Sequence, residues 1–170
     1  MSELIAFNDE NPEDEELRMP SRKHSFAMGR ITGLLFNDER FTIMPELSLD
    51  ASQIDLSPFD IKTKDELIPD ISVYSYQVDS GGALDELKMK EMPLLAIEIL
   101  SPRQGMNDMV AKLQAYFALG IKSCWLVIPA IQSITVYPKP NQYKTFDIND
   151  DELVDNIMDI HLPIHKIFAK

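Results

Sequence analysis

Three acidic residues occupy stretches that otherwise read as strands: Glu46 in MPELSL, Asp70 in LIPDISVYSY and Glu98 in PLLAIEILSPRQ. Glu98 is the most anomalous. Apolar residues 93–97 lead up to it, and Ile99 and Leu100 follow. An ionised carboxylate in such a run is costly unless a charge or hydrogen bonds compensate it. A hard divalent cation, Mg²⁺ or Mn²⁺, takes oxygen ligands, commonly one or two carboxylates completed by water and substrate phosphate. Asp70 and Glu98 on neighbouring strands would supply that pair. Glu46 is a candidate third acid near the metal, although a structural place in a strand accounts for it equally well.

The elements that must position these acids follow from periodicity. Strand alternation puts Leu100 on the face of Glu98 and turns Ile97 and Ile99 the other way, so both faces of a strand over about 94–100 are expected to be covered. RFTIMPELSLD and LIPDISVYSY read as the strands of Glu46 and Asp70, with Pro69 tolerated at a strand start. After SPR turns the chain away, residues 107–119 carry the clearest helical pattern. Met109, Val110, Leu113, Tyr116 and Phe117 share one face and Gly120 supplies a stop. At about 100° per residue Lys112 falls on the flank of that face, roughly 40° from Tyr116. It either reaches the end of the Glu98 strand or snorkels over apolar surface. Gln104 is placed to shape the intervening loop.

An earlier helix is expected over 22–36, capped by Ser21, with Ala27, Met28, Ile31, Leu34 and Leu35 at helical spacing. Gly29 and Gly33 on one side of it read as a close-packing surface. The connection VDSGGALDELKMKEMP is expected to hold a Gly-Gly turn and a short helical piece. CWLVIP, SITVYP and YKTFDI read as short strands, and DIHLPIHKIF as an apolar-patterned C-terminal segment. This order predicts an α/β (α+β) domain over 21–170, with a mixed central β-sheet flanked by helices.

Composition bounds the partners. Apolar residues make up 45% and charged residues 26%, which suits a globular chain with a sizeable core. No stretch approaches the roughly 20 apolar residues of a membrane helix, and the N-terminus lacks the pattern of a signal peptide. A cytoplasmic location and no membrane partner are therefore expected. The single cysteine, Cys124 in SCWLVI, excludes an internal disulfide and reads as a buried thiol. A net charge of −12 at first opposes phosphate binding. However, residues 1–16 hold seven acids and no base, leaving 21 acids against 16 bases elsewhere. Residues 1–20 are expected to form an acidic flexible tail. Arg18, Arg22, Lys23, His24 and Arg30 gather near the first helix, and a solvated face is the simpler account of them than phosphate contact. His161 and His165 do not make a zinc pair, because Pro163 between them breaks a helical i, i+4 arrangement and no cysteine is near.

The Pro69-Asp70 pair followed by EIL at residues 98–100 resembles the bipartite motif of the PD-(D/E)XK nuclease superfamily. The longer runs PDISVY, PLLAIEILSPRQ and KLQAYFALGIKSCWLVIPAIQSITVY are similar to the Uma-type restriction endonuclease family, a branch of that superfamily. The similarity spans roughly residues 41–140, with looser agreement at the His24 helix and the LPIHKIF segment. It implies a restriction-endonuclease-like core in which Asp70 and Glu98 bind the metal. A lysine is expected two residues after the glutamate, but Leu100 stands there. In this branch the lysine has moved to the following helix, and Lys112 occupies that position.

The resemblance thus implies a Mg²⁺-dependent (or Mn²⁺-dependent) endonuclease that hydrolyses DNA phosphodiester bonds, with Asp70, Glu98 and Lys112 as its catalytic set. Cutting two strands with two sites would suit a homodimer. The competing expectation is a non-catalytic interaction or regulatory protein that retains the nuclease fold, which the acidic surface favours.

Overall fold

The computed structural model describes residues 20–61 and 65–169. The expected tail, apart from Pro20, and Arg18 with it, lie outside the described residues. Helix α1 (Arg22–Phe36) begins where Ser21 Oγ accepts the His24 backbone N–H at 3.1 Å. Strands β1 (Phe41–Pro45), β2 (Leu49–Asp50), β3 (Glu66–Leu67) and β4 (Ile71–Ser75) follow, then β5 (Leu95–Ile99). Helix α2 (Met106–Ala118) leads into β6 (Ser123–Ile128), β7 (Ser133–Lys139) and β8 (Gln142–Asp147). A hairpin of β9 (Glu152–Asp155) and β10 (Ile160–Pro163) and a short α3 (His165–Phe168) complete the chain.

Six strands form the central sheet in the order β1-β4-β5-β6-β7-β8. Only β5 and β6 run parallel, because α2 carries the chain back between them; the other pairs are antiparallel. Strand alternation divides the core into two layers. Leu95, Ile97 and Ile99 of β5 join Ala27, Ile31 and Leu35 of α1 and the C-terminal Ile164 and Ile167 in one buried cluster. Ala96 lies in the other, with Met109, Leu113 and Tyr116 of α2. The expected α/β architecture with helices flanking a mixed sheet is the one observed.

Two local expectations fail. An added Cβ at Gly29 or Gly33 would meet nothing within 4 Å, and both glycines are exposed, so they mark no close packing. They lie on the face of α1 that is turned to solvent. Residues 77–92 contain no helical piece. The left-handed Gly81 and the bend-rich residues around it leave no run long enough to close a helical turn.

The C-terminal hairpin is tied to the sheet by a buried acid. Asp155 is fully buried, and its Oδ2 accepts Ser123 Oγ (2.6 Å) and Trp125 Nε1 (2.8 Å). Its Oδ1 accepts the backbone N–H groups of Ile157 (2.9 Å) and Met158 (3.0 Å). Removing this acceptor leaves three buried donors, Ser123 Oγ, Trp125 Nε1 and the Met158 N–H, without a partner, and a fourth, the Ile157 N–H, in a part-buried position. Asp155→Ala should therefore destabilise the domain, at about 1–3 kcal/mol for each buried donor left unsatisfied, read as a lowered urea midpoint.

Candidate active site

Glu98 lies in β5, whereas Glu46 and Asp70 lie one residue outside β1 and β4, on a rung that continues past the ends of those strands. Pro45 pairs with Ile71, and Ile71 with Ile97. One step further along the same registers places Glu46 beside Asp70 and Asp70 beside Glu98. The Glu46 backbone N–H donates to the Asp70 carbonyl at 3.0 Å. Side chains directly opposite in an antiparallel pair have Cβ atoms about 5 Å apart, so the Asp70 and Glu98 carboxyl groups meet at the end of β5.

Each carboxyl group is held from a different layer. His24 is the third residue of α1 and shares its buried face with Ala27, Ile31 and Leu35. Its Nε2 lies 3.1 Å from Asp70 Oδ1. Asp70 Oδ2 accepts the Ile99 N–H at 2.7 Å, so the side chain takes the place of a ladder partner where β4 begins. The Asp70 side chain remains 20% exposed. Glu98 is buried at 2% exposure, and the Tyr116 hydroxyl donates to its Oε1. Tyr116 itself is fixed by a Schellman ending to α2, in which Ile121 N–H reaches Tyr116 O (3.1 Å) and Gly120 N–H reaches Phe117 O (3.0 Å). Gly120 adopts φ +92°, the left-handed conformation that this ending requires.

The electrostatics follow from this packing. Burial pushes the Glu98 carboxyl up to about 8, the Lys112 ammonium partly opposing that rise. The neighbouring Asp70 carboxyl raises it further by repulsion and by a hydrogen bond, while the Tyr116 hydroxyl lowers it. The His24 imidazole is raised above its ordinary value by its hydrogen bond to Asp70, burial acting against this, with Asp70, Glu98 and Glu46 adding attraction. Burial also drives the Tyr116 phenol well up, with Glu98 adding to it. This packing favours the neutral form of the Glu98 carboxyl.

Lys112 lies half-buried on the flank of α2, one helical turn before Tyr116, and it forms no ion pair among the described residues. Gln104 Oε1 accepts the Ser101 N–H at 2.9 Å and so closes the loop between β5 and α2. Glu46 is less involved. It is exposed, its φ is +54°, and its carboxylate makes no hydrogen bond with Asp70 or Glu98. Of the basic residues near α1, His24 is not part of a solvated face. It lies on the inward stripe with Ala27, Ile31 and Leu35, a pattern that the helical spacing already contains. Tyr116 was legible only as a core residue, since periodicity carries no record of its hydroxyl.

The donor set suits a hard cation. Two carboxyl groups from adjacent chain segments converge, one buried and short of compensating charge, the other partly exposed. Among the described residues no group of three or more His, Cys, Asp or Glu side chains is placed to hold a metal ion, so a cation here would rest on the Asp70 and Glu98 pair with water or substrate oxygens completing its shell.

The Uma2 family model, described as "Putative restriction endonuclease", matches residues 14–162. Among solved structures, a "putative nuclease belonging to DUF820" from Anabaena variabilis superposes with a TM-score of 0.65. It is 23% identical, and the match covers 88% of this chain and 82% of that one. No curated protein matches the chain.

Proposed function

This chain belongs to the Uma2 family, and from that premise we propose that it is a divalent-metal-dependent endonuclease acting on DNA phosphodiester bonds. The observation that carries the reading is the meeting of Asp70 with the buried, charge-deficient Glu98 at the end of β5. Asp70 and Glu98 would hold one Mg²⁺ or Mn²⁺. When bound there, the cation supplies activation of a water molecule and neutralisation of phosphate charge. Asp70, one-fifth exposed, is the less buried of the two carboxylates and so the one nearer to an arriving substrate. Lys112 brings a cation to Glu98 without being spent on an ion pair, so its ammonium is free to orient the attacking water and to stabilise the charge that builds on the phosphate oxygens. Leu100, in the place of the usual strand lysine, belongs to the apolar layer beneath α2.

Calorimetric titration with Mn²⁺ should show one site per chain, and a supercoiled plasmid should be nicked only when metal is present. Absence of binding at millimolar metal would overturn the reading in favour of a fold without nuclease chemistry. Lys112→Met should lower the cleavage rate about 10²–10³-fold. Its metal affinity should be unchanged or higher, since a cation next to the site has been removed. Loss of metal binding in this variant would assign Lys112 a structural role instead.

A further inference from the structure

We propose that His24 and Tyr116 are positioning residues of the metal centre, each dedicated to one of its carboxylates from opposite faces of the sheet. The inference rests on the metal reading above and adds to it what aims the ligands. The aspartate can rotate about two side-chain bonds and the glutamate about three, and a weakly held pair would spend binding energy on being ordered. Here that freedom is removed before any ligand arrives. His24 from α1 and the Ile99 N–H hold the two Asp70 oxygens separately, at 3.1 and 2.7 Å. Tyr116 from α2 holds Glu98 Oε1.

Neither holder is explained by packing alone. His24 is only 5% exposed, and its Nδ1 is buried without a partner, a cost that a leucine on the same stripe would not carry. Among the described residues its ring has one polar contact, with Asp70. Tyr116 is completely buried, and its hydroxyl has Glu98 as its acceptor. Phenylalanine would fill the same space without bringing an OH into the core. Both helix ends that fix these residues are also specified, by the Ser21 cap for His24 and by the Gly120 ending for Tyr116. Ligand carboxylates are commonly oriented by such outer contacts, whose loss costs 10–100-fold in metal affinity.

The test uses the whole chain and Mn²⁺ as the probe. His24→Leu and Tyr116→Phe keep volume and remove only the holding donor, whereas His24→Gln returns an N–H near the Nε2 position. We expect His24→Leu and Tyr116→Phe to raise the Mn²⁺ dissociation constant roughly 10–100-fold and His24→Gln to stay within about threefold of the parent chain. At saturating metal the cleavage rate of all three should return to within about tenfold, a rescue that a merely misfolded variant would not show. Unchanged Mn²⁺ affinity in His24→Leu and Tyr116→Phe would overturn the inference and leave the nuclease reading standing. A rate that excess metal cannot restore, with His24→Gln as impaired as His24→Leu, would also overturn it, because the residues would then serve the fold alone. Failure of the parent chain to bind Mn²⁺ would overturn the metal reading itself and this inference with it.

Discussion

Asp70→Asn is expected to reduce DNA cleavage by at least about 10³-fold, equivalent to roughly 4 kcal/mol of transition-state stabilisation, while leaving the fold intact. The amide keeps an oxygen to accept the Ile99 N–H but removes the charge that a divalent cation needs. Asp70→Ala is a poorer probe. It leaves the Ile99 N–H and the His24 imidazole without their acceptor, at a cost of about 1–3 kcal/mol for each buried unsatisfied group. The two variants should therefore be equally inactive but differ in their urea midpoints, with Asn close to the parent chain and Ala lower. Plasmid nicking and urea denaturation on the same preparations make the comparison. Cleavage by Asp70→Asn at the parent rate would remove Asp70 from the chemistry.

The sequence made some of this site visible and hid the rest for identifiable reasons. Glu98 stood out because a charge inside an apolar run violates the burial habit of acids, and its environment bears out the cost. Lys112 was singled out by the family resemblance, which moves the lysine to this helix; its helical angle alone left a snorkelling flank lysine open as well, and it lies half-buried on that flank. His24 was hidden by its neighbours. Arg22 and Lys23 precede it, and a basic cluster at a helix start suggests solvent, yet only His24 is in phase with Ala27, Ile31 and Leu35. Tyr116 was hidden in the opposite way, since an aromatic residue on an apolar face satisfies the core pattern completely. Its function lies in one atom at the end of the ring. The glycines of α1 misled because spacing alone cannot say which side of a helix faces a neighbour. The sheet rung joining Glu46, Asp70 and Glu98 could not be read at all, because register between strands separated by long connections depends on the folded pairing.

The burial of Glu98 sets stability against function, and Glu98→Gln should separate the two. In the metal-free protein the folded-state pKa is about 8, well above the ordinary value of an exposed glutamate, about 4.3. Between those values the folded chain holds a proton that the unfolded chain has released. The stabilisation is complete below the unfolded value and is lost as pH rises through the folded one. Glutamine cannot ionise, so Glu98→Gln escapes this loss. At pH 5 variant and parent should melt at similar temperatures. At pH 9 the metal-free variant should be more stable by about 1–3 kcal/mol, roughly 3–10 °C in Tm for a chain of this size. Millimolar Mg²⁺ should reverse the order in the parent only, because binding to the ionised carboxylate restores its stability and releases the proton held at lower pH. Cleavage by Glu98→Gln should fall by about 10³-fold or more despite its higher Tm. Scanning calorimetry at pH 5 and pH 9, with and without Mg²⁺, reads all four states. Equal melting temperatures at pH 9, together with no response of the parent to metal, would mean that the buried acid is compensated from within the chain and is not a cation ligand. A protein that tolerates an ionisable group so deep in its sheet at such a cost is better explained by what that group binds than by what it stabilises.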